Sequence, residues 1–146
     1  MNTSLLWSAH DVAVRFVEAL GAGDVELAQR LLAKDVVYTR MSWRTLDGRD
    51  AVARHFARRA RSRTRLESVL QCAVADDEGL VLTERVTALS RGRLRVQFWV
   101  CGHFEVVDGR ITVWRDYFDY LAVARAAARG VAGTMVPALR ARPPRA

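Results

Sequence analysis

Cysteine, histidine and long apolar runs are scarce in this chain of 146 residues. Its two cysteines, Cys72 and Cys101, are too few for a metal centre, which needs about three or four closely spaced ligands, and we interpret both as reduced thiols in the core or a pocket. No run approaches the roughly 18 apolar residues of a membrane span. The segment before Ala9 lacks the basic start and apolar stretch of a signal peptide. These absences predict a cytoplasmic protein that uses no cofactor, no metal ion and no membrane surface.

Lysine is nearly absent as well, since Lys34 is the only lysine among 23 basic residues, although the formal net charge is +7. A basic chain raises the question of a nucleic-acid partner. The arginines, however, are spread along the chain, and two groups of them lie on one predicted helical face and in the C-terminal segment. The two groups are Arg54, Arg58 and Arg61, and Arg140, Arg142 and Arg145. This distribution favours a solvated face and a basic tail, so we expect no nucleic-acid partner.

The length of the chain fits one domain. Hydrophobic residues make up 51% of the sequence, which is enough for a packed core. Pro137, Pro143 and Pro144 mark a C-terminal segment without a clear periodic pattern. We therefore predict a single domain over residues 1–133 and a flexible basic tail over residues 134–146.

Apolar residues recur at helical spacing in four segments. The predicted helices are Ser8–Leu20, a short helix capped by Asp24, Arg49–Arg61 and Asp119–Arg129. In the first helix Val12, Phe16 and Leu20 share one face, and Ser8 with Asp11 resembles a capping box. Gly130 is expected to end the last helix.

Period-two alternation predicts five strands joined by tight turns. The predicted strands are Asp35–Trp43, Arg65–Ala75, Leu80–Leu89, Leu94–Val107 and Arg110–Phe118. Asp108 and Gly109, between the last two strands, are the strongest hairpin signal. Four consecutive strands with short turns form an antiparallel meander. We predict an α+β fold in which a strongly bent, mostly antiparallel sheet carries three N-terminal helices over a pocket on its concave face, with a C-terminal helix after the sheet.

The last strand carries a carboxylate between large aromatic rings. Alternation places Thr112, Trp114, Asp116 and Phe118 on one face of the sheet. A carboxylate in such surroundings is poorly solvated, which is typical of a general base or acid. The alternative is purely structural, with the two rings in the core and Asp116 in a buried ion pair.

Other polar residues are predicted to point toward the same pocket. Arg85 and Thr87 share a face of a neighbouring meander strand, from which Arg85 reaches across to Asp116. Tyr38 and Arg40 share a face of the first strand. Tyr38 is alternatively a strand tyrosine whose hydroxyl reaches solvent.

Two segments in the second half of the chain carry a family resemblance. They are Phe104-Glu105-Val106-Val107-Asp108-Gly109-Arg110-Ile111 and Trp114-Arg115-Asp116-Tyr117-Phe118-Asp119. They resemble the limonene-1,2-epoxide hydrolase family, which belongs to the nuclear transport factor 2-like superfamily with polyketide cyclases and ketosteroid isomerases. The resemblance covers roughly Ser8–Arg129. It implies a cone-shaped bent sheet with helices over its mouth. It also implies a homodimer formed through the outer sheet face, where Trp99 and Val86 would supply apolar contact.

The resemblance also implies roles for pocket residues. By position, Asp116 matches the aspartate that activates a water molecule, Arg85 matches the arginine that bridges two acids, and Tyr38 matches a tyrosine that holds the water. Two positions differ from the family. Thr87 stands where the family has the acid that protonates the epoxide, and Arg40 stands where it has an asparagine. A threonine hydroxyl is too weak an acid for that step, and a positioned general acid typically contributes about 10²–10⁴ in rate.

We therefore expect a small-molecule enzyme acting on an apolar natural product, first of all a polyketide or terpenoid cyclase or isomerase. Its predicted catalytic residues are Asp116 for proton transfer, Arg85 and Arg40 for an oxyanion, and Tyr38 for orientation. Its predicted substrate-binding residues are Thr87, Trp114, Phe118, Phe16, Phe56 and His103. His103 is alternatively an ordinary half-exposed strand histidine. The other hypotheses are an epoxide hydrolase, with Tyr38 or His103 as proton donor, and a non-catalytic binding or assembly module.

Overall fold

The computed structural model describes residues 7–41 and 44–144. Within these ranges the chain forms four α-helices, one short 3₁₀ helix and one open sheet of six strands. The helices are α1 (Ala9–Ala22), α2 (Val25–Leu31), α3 (Arg49–Arg61) and α4 (Tyr120–Met135), followed by the 3₁₀ helix Pro137–Leu139. The strands are β1 (Leu32–Arg40), β2 (Leu46–Asp47), β3 (Arg65–Ala75), β4 (Leu80–Arg91), β5 (Leu94–Val107) and β6 (Arg110–Tyr117). The predicted α+β class is confirmed.

The N-terminal helices begin at the predicted caps. Ser8 and Asp11 form a capping box, in which the Ser8 hydroxyl oxygen accepts from the Asp11 backbone N–H at 3.1 Å. Gly23 ends α1 in the left-handed conformation, with φ 75°. Asp24 caps α2 and accepts from the Leu27 backbone N–H at 3.0 Å. Local chemistry therefore fixes where both helices start.

The strands lie in the order β2-β1-β6-β5-β4-β3. β1 and β6 run parallel, and every other adjacent pair is antiparallel. The β5–β6 hairpin turns at Asp108 and Gly109, whose φ values are 49° and 73°, as the sequence predicted. β4 is not the neighbour of β6, because β5 lies between them. A side chain of β4 therefore has to cross β5 to reach β6.

The hydrophobic core lies between the inner face of the sheet and the N-terminal helices. Its largest fully buried side chains include Trp114 of β6, Phe104 of β5 and Phe16 of α1. α1 packs mainly against β3, α3 packs against β1, and α4 packs against β5. Burial of this apolar surface is the main force that holds the helices on the sheet.

The predicted bounds of the first strand were wrong. β1 begins at Leu32, directly after α2, and ends at Arg40, whereas a strand over Asp35–Trp43 was predicted. Trp43 lies outside the described residues. Leu46 and Asp47, which precede a glycine and have the sequence of a turn, form the short strand β2, which pairs with β1 at Val37 and Tyr38. Pairing with neighbouring strands, which the sequence pattern does not reveal, sets these bounds.

The predicted end of the last helix was also wrong. α4 continues through Gly130 to Met135. A Cβ at Gly130 would lie 2.4 Å from the carbonyl oxygen of Arg95 in β5. Gly130 therefore allows α4 to approach the sheet closely and does not end the helix.

Thr112 does not share the inner face with Trp114 as predicted. Val106 pairs with Ile111 and Glu105 pairs with Val113, so Thr112 is the extra residue of a β-bulge. Ile111 takes the inner position and is fully buried. The Thr112 hydroxyl donates to the Glu105 carbonyl at 3.2 Å.

The outer face of the sheet differs from two expectations. Cys72 and Cys101 are free thiols, but both are exposed and neither lies in the core or a pocket. Trp99 is 55% exposed, as an apolar contact with a second copy requires, whereas Val86 is only 5% exposed and offers little surface. The homodimer stays a prediction, and light scattering is expected to show two copies per particle.

Residues after α4 make hydrogen bonds with β5 and the turn before it. The Gln97 amide donates to the Arg142 carbonyl at 3.1 Å, and the Arg140 guanidinium donates to the Arg93 carbonyl at 2.8 Å. Arg145 lies outside the described residues. The division into a domain over 1–133 and a tail over 134–146 stays a prediction. In the described ranges, no helix has both the length and the apolar character needed to cross a bilayer.

Candidate active site

A cavity of about 350 Å³ lies on the inner face of the sheet, closed by parts of α1, α3 and α4. Its wall is mostly apolar, as in sites for small organic molecules. The apolar and aromatic wall residues are Leu20, Phe56, Leu66, Leu89, Val96, Phe98, Val100, Trp114, Phe118 and Val123. Apart from Arg40, Arg59 and Tyr120, the polar residues of the wall form two groups. We call Tyr38, Arg85, Trp114 and Asp116 the carboxylate cluster, and Ser68 and Thr87 the hydroxyl pair.

Asp116 is 7% exposed and accepts hydrogen bonds from three donors. Arg85 Nη2 and the Trp114 indole N–H reach Oδ1 at 2.7 Å and 2.8 Å, and the Tyr38 hydroxyl reaches Oδ2 at 3.2 Å. Arg85 and Asp116 also form an ion pair through this 2.7 Å contact, so the three donors converge on one carboxylate. Because its two oxygens offer about four lone-pair sites, one site remains for a ligand.

Aromatic packing holds the Trp114 indole in place. Tyr38 stacks on Trp114, with 3.7 Å between ring centroids and 14° between ring planes, and Phe16 meets it edge-on at 4.8 Å. The parallel pairing of β1 and β6 produces this arrangement, since Tyr38 lies beside Trp114 and Arg40 lies beside Asp116. The stacked rings therefore fix two of the three donors to the carboxylate.

Gly102 of β5 leaves the space that the Arg85 guanidinium occupies. It lies opposite Thr83 of β4 and Asp116 of β6. A Cβ at this position would lie 2.7 Å from Arg85 Nη1, 2.6 Å from Thr83 Oγ1 and 2.8 Å from the Phe104 ring. Such contacts are far shorter than van der Waals distance. A side chain at residue 102 would therefore block the path by which Arg85 crosses β5 to reach Asp116.

Two more guanidinium groups, of Arg40 and Arg59, lie on the cavity wall. Arg40 Cζ is 5.6 Å from the centroid of the Tyr38 ring, and Arg59 Cζ is 5.3 Å from that of Phe56. Burial lowers the pKa of the Arg59 guanidinium, and the charge of Arg40 acts in the same direction. Arginine stays cationic under such shifts. Among the described wall residues, three guanidinium groups and one carboxylate leave two positive charges in excess.

Tyr38 and His55 are neutral near neutral pH. Burial raises the pKa of the Tyr38 phenol well above its ordinary value, and the negative charge of Asp116 adds to this shift. Burial lowers the pKa of His55 to about 4, and the charges of Arg40 and Arg59 contribute. Arg59 Nη2 lies 3.2 Å from His55 Nε2. The neutral imidazole therefore accepts from Arg59 and orients it.

The hydroxyl pair has no partners among the described residues. Ser68 of β3 and Thr87 of β4 lie directly opposite each other, and both line the cavity. Their Oγ atoms are buried and form no hydrogen bond with any described residue. Thr83 also has a buried, unpartnered hydroxyl on this face, but it does not line the cavity. The cavity wall thus has hydrogen-bonding capacity that the described chain does not use.

Most of the residues predicted for the site lie on the cavity wall. They are Tyr38, Arg40, Phe56, Arg85, Thr87, Trp114, Asp116 and Phe118. Two predicted positions were wrong. Phe16 is fully buried behind Trp114 and does not line the cavity. His103 lies on the outer face, where alternation with Gly102 and Phe104 places it, and its Nε2 is 3.2 Å from Glu105. The roles of the wall residues stay predictions.

Three residues of the site were not predicted from the sequence: Arg59, Ser68 and Gly102. Arg59 follows Phe56 by three residues, which places both on the inner face of α3. Ser68 alternates with Leu66 and Leu70 on the inner face of β3. A glycine in the middle of a long strand often marks a close approach, which is the signal at Gly102. In the described ranges no group of three or more His, Cys, Asp or Glu side chains is placed to hold a metal ion.

The sequence of this chain is similar to a known protein family and to a named epoxide hydrolase. The sequence model of the limonene-1,2-epoxide hydrolase catalytic domain family matches residues 8–129. Epoxide hydrolase EphG of Mycobacterium tuberculosis (strain ATCC 25618 / H37Rv) is 41% identical over 126 residues, which cover 86% of this chain and 83% of EphG.

Solved structures of related proteins have a similar fold. The structure of an M. tuberculosis LEH-like epoxide hydrolase is similar with a TM-score of 0.86 and 39% identity, covering 92% of this chain and 95% of that chain. A proposed polyketide cyclase from Xanthomonas campestris pv. campestris is similar with a TM-score of 0.69 and 26% identity, covering 81% of this chain and 96% of that chain.

Proposed function

Because the chain belongs to the limonene-1,2-epoxide hydrolase family, we propose that it is an enzyme that uses Asp116 to move a proton on a small apolar molecule. The proposed reaction is the isomerisation or ring closure of a polyketide-like or terpenoid substrate. The charge of the cavity carries this proposal, since one carboxylate faces three guanidinium groups. Such a site suits a proton transfer that leaves a negative charge on the substrate.

In the proposed reaction Asp116 is the general base. Its remaining lone pair accepts a proton from a carbon next to a substrate carbonyl, the C–H electron pair becomes a C=C bond, and the carbonyl oxygen becomes an oxyanion. The guanidinium groups of Arg40 and Arg59 stabilise this oxyanion. The neutral Tyr38 hydroxyl and Arg85 keep the carboxylate oriented.

Two outcomes complete the reaction with balanced charge. In an isomerisation, the substrate is a β,γ-unsaturated ketone, and Asp116 returns the proton to the γ-carbon of the dienolate, which moves the C=C bond into conjugation with the carbonyl group. In a ring closure, the enolate carbon attacks a second carbonyl of the same molecule, and the new alkoxide takes the proton from Asp116. The apolar wall favours the second outcome by holding a flexible chain in a folded shape, which lowers the entropic barrier.

Epoxide hydrolysis is the alternative function, and the name of the 41% identical EphG favours it. In this reaction a water molecule beside Asp116 attacks an epoxide carbon, and the epoxide oxygen needs a proton. His103 cannot supply that proton because it lies on the outer face. The Tyr38 hydroxyl is the candidate donor on the wall, and its raised pKa makes it a weak one.

Two assays on the same preparation separate these functions. Exchange of the α-hydrogens of 2-tetralone in D₂O, followed by NMR, reports proton abstraction directly, and we expect the protein to accelerate it. A panel of epoxides in H₂¹⁸O reports hydrolysis, and we expect no labelled diol. Labelled diol without α-exchange would replace the proposal by epoxide hydrolysis. If neither α-exchange nor labelled diol is detected, the non-catalytic binding module is supported instead.

A further inference from the structure

We infer that Ser68 and Thr87 form an oxygen-binding subsite, and that the substrate carries a neutral carbonyl or hydroxyl oxygen in addition to the group that reacts at Asp116. The ligand class is therefore an apolar molecule with two oxygen functions, such as a keto acid or a diketone. The inference rests on the proposed function only in assigning the substrate group that reacts at Asp116.

The placement of the two hydroxyls supports one shared ligand oxygen. Ser68 and Thr87 are register partners on adjacent antiparallel strands, so their Cβ atoms are about 4.5–5.5 Å apart. Both line the cavity, and Thr87 is 7% exposed. Neither hydroxyl bonds to the other or to any other described residue. Proteins rarely leave buried hydroxyl groups unpaired, and an oxygen between these two would satisfy both.

The chemistry of the pair selects a neutral oxygen. Each hydroxyl is both donor and acceptor and carries no charge, so the pair suits a carbonyl or an alcohol. Negative charge is favoured elsewhere in the cavity, beside Arg40, Arg59 and Arg85. Thr87 lies two residues from Arg85 on the same face of β4, a distance of about 7 Å along the strand. The two ligand oxygens are therefore expected to be separated by a few carbon atoms.

Two probes that differ by one carbonyl test the subsite. 4-Oxo-4-phenylbutanoate and 4-phenylbutanoate share a carboxylate for the guanidinium groups and a phenyl ring for the apolar wall. NMR titration of the full chain gives the Kd of each probe. We expect the keto acid to bind about fivefold more tightly, as one or two hydrogen bonds allow.

Three variants assign the preference to its source. Ser68→Ala and Thr87→Val are each expected to lower the ratio of the two Kd values toward one. Thr83→Val removes a buried, unpartnered hydroxyl from the same strand face outside the cavity wall, and it is expected to keep the wild-type ratio. The ratio is insensitive to a general loss of stability, because such a loss weakens both probes equally.

The outcomes distinguish the subsite from the proposed function. A ratio near one in the wild type, or an unchanged ratio in both Ser68→Ala and Thr87→Val, would overturn the subsite. Failure of both probes to bind would overturn the subsite and the anion-binding cavity together. If the ratios of the two Kd values are as expected but the protein does not accelerate α-exchange of 2-tetralone, the proposed function is overturned and the subsite is supported.

Discussion

The carboxylate cluster and the hydroxyl pair share one cavity, but the protein satisfies their polar groups to different degrees. Asp116 accepts from three protein donors, whereas Ser68 and Thr87 have no partner among the described residues. An unpaired buried charge is far more costly than an unpaired hydroxyl. The fold therefore has to complete the carboxylate cluster before any ligand arrives, and it leaves the hydroxyl pair available to a ligand.

The two groups also differ in how much of the sheet they need. The carboxylate cluster takes Tyr38 from β1, Arg85 from β4, and Trp114 and Asp116 from β6, and it needs the space at Gly102 of β5. The hydroxyl pair needs two adjacent strands. Substitutions in the carboxylate cluster should accordingly disturb the fold more than substitutions in the hydroxyl pair.

Removal of the Arg85 guanidinium should give the largest loss of stability. Arg85→Met leaves Asp116 as a buried charge with only neutral donors, and we expect the free energy of unfolding to fall by about 3–5 kcal/mol. Urea denaturation measures this loss. The control is Arg65→Met, at an exposed position of β3, which is expected to change little. Equal losses in the two variants would contradict the stabilising role of Arg85 in the carboxylate cluster.

Gly102→Ala should have the next largest effect. The added methyl group collides with Arg85, Thr83 and Phe104, and overpacking of this kind typically costs about 1–3 kcal/mol. The same substitution in an Arg85→Met background should cost less, because the guanidinium no longer occupies the contested space. A double-mutant cycle measures this coupling. An identical cost in both backgrounds would show that Gly102 does not serve the Arg85–Asp116 contact.

His55, which contacts the wall residue Arg59, should make the free energy of unfolding depend on pH. The unfolded chain binds a proton near the ordinary histidine pKa of 6.5, whereas the folded chain resists protonation down to about 4. The neutral His55 therefore contributes fully to the free energy of unfolding above pH 6.5, and this contribution is lost as the pH falls toward 4. In the His55→Gln variant, the free energy of unfolding should fall less steeply between pH 6.5 and 4 than in the wild type, as measured by denaturation at several pH values. His10→Gln, at an exposed histidine, is the control. A slope unaltered by His55→Gln would contradict the assignment.

Removal of unpartnered hydroxyls should have the smallest effect on the free chain. Thr87→Val and Thr83→Val preserve shape and delete a hydroxyl that bonds to no described residue. We expect the free energy of unfolding to stay within about 1 kcal/mol of the wild type or to rise. Thermal denaturation without ligand provides the comparison. A clear loss in Thr87→Val alone would show that the protein itself uses this hydroxyl.

Local patterns in the sequence were enough for much of the fold and for the carboxylate cluster. Capping at Ser8 and Asp24, and the turn at Asp108, depend on neighbouring residues alone. Strand alternation also placed Arg85 and Asp116 on the inner face correctly. It did so because β4 has no irregularity at Arg85 and the bulge in β6 comes before Asp116.

Close approaches between distant elements were not predictable in the same way. A glycine pattern that ends a helix resembles one that lets a helix pack tightly, and at Gly130 only the position of Arg95 distinguishes them. Gly102 presents the same ambiguity within a strand. The bulge at Thr112 shifts one residue between faces without any turn signal in the sequence. Each of these features depends on contacts between segments far apart along the chain.

The proposed role of Asp116 as the base is tested most directly by α-hydrogen exchange of 2-tetralone in D₂O with matched carboxylate variants. Asp116→Asn keeps the shape of the side chain and removes the base, and we expect the rate above background to fall by a factor of about 10² or more. Asp108→Asn, in the exposed β5–β6 turn, should exchange at the wild-type rate. Wild-type exchange in Asp116→Asn would contradict the proposed base.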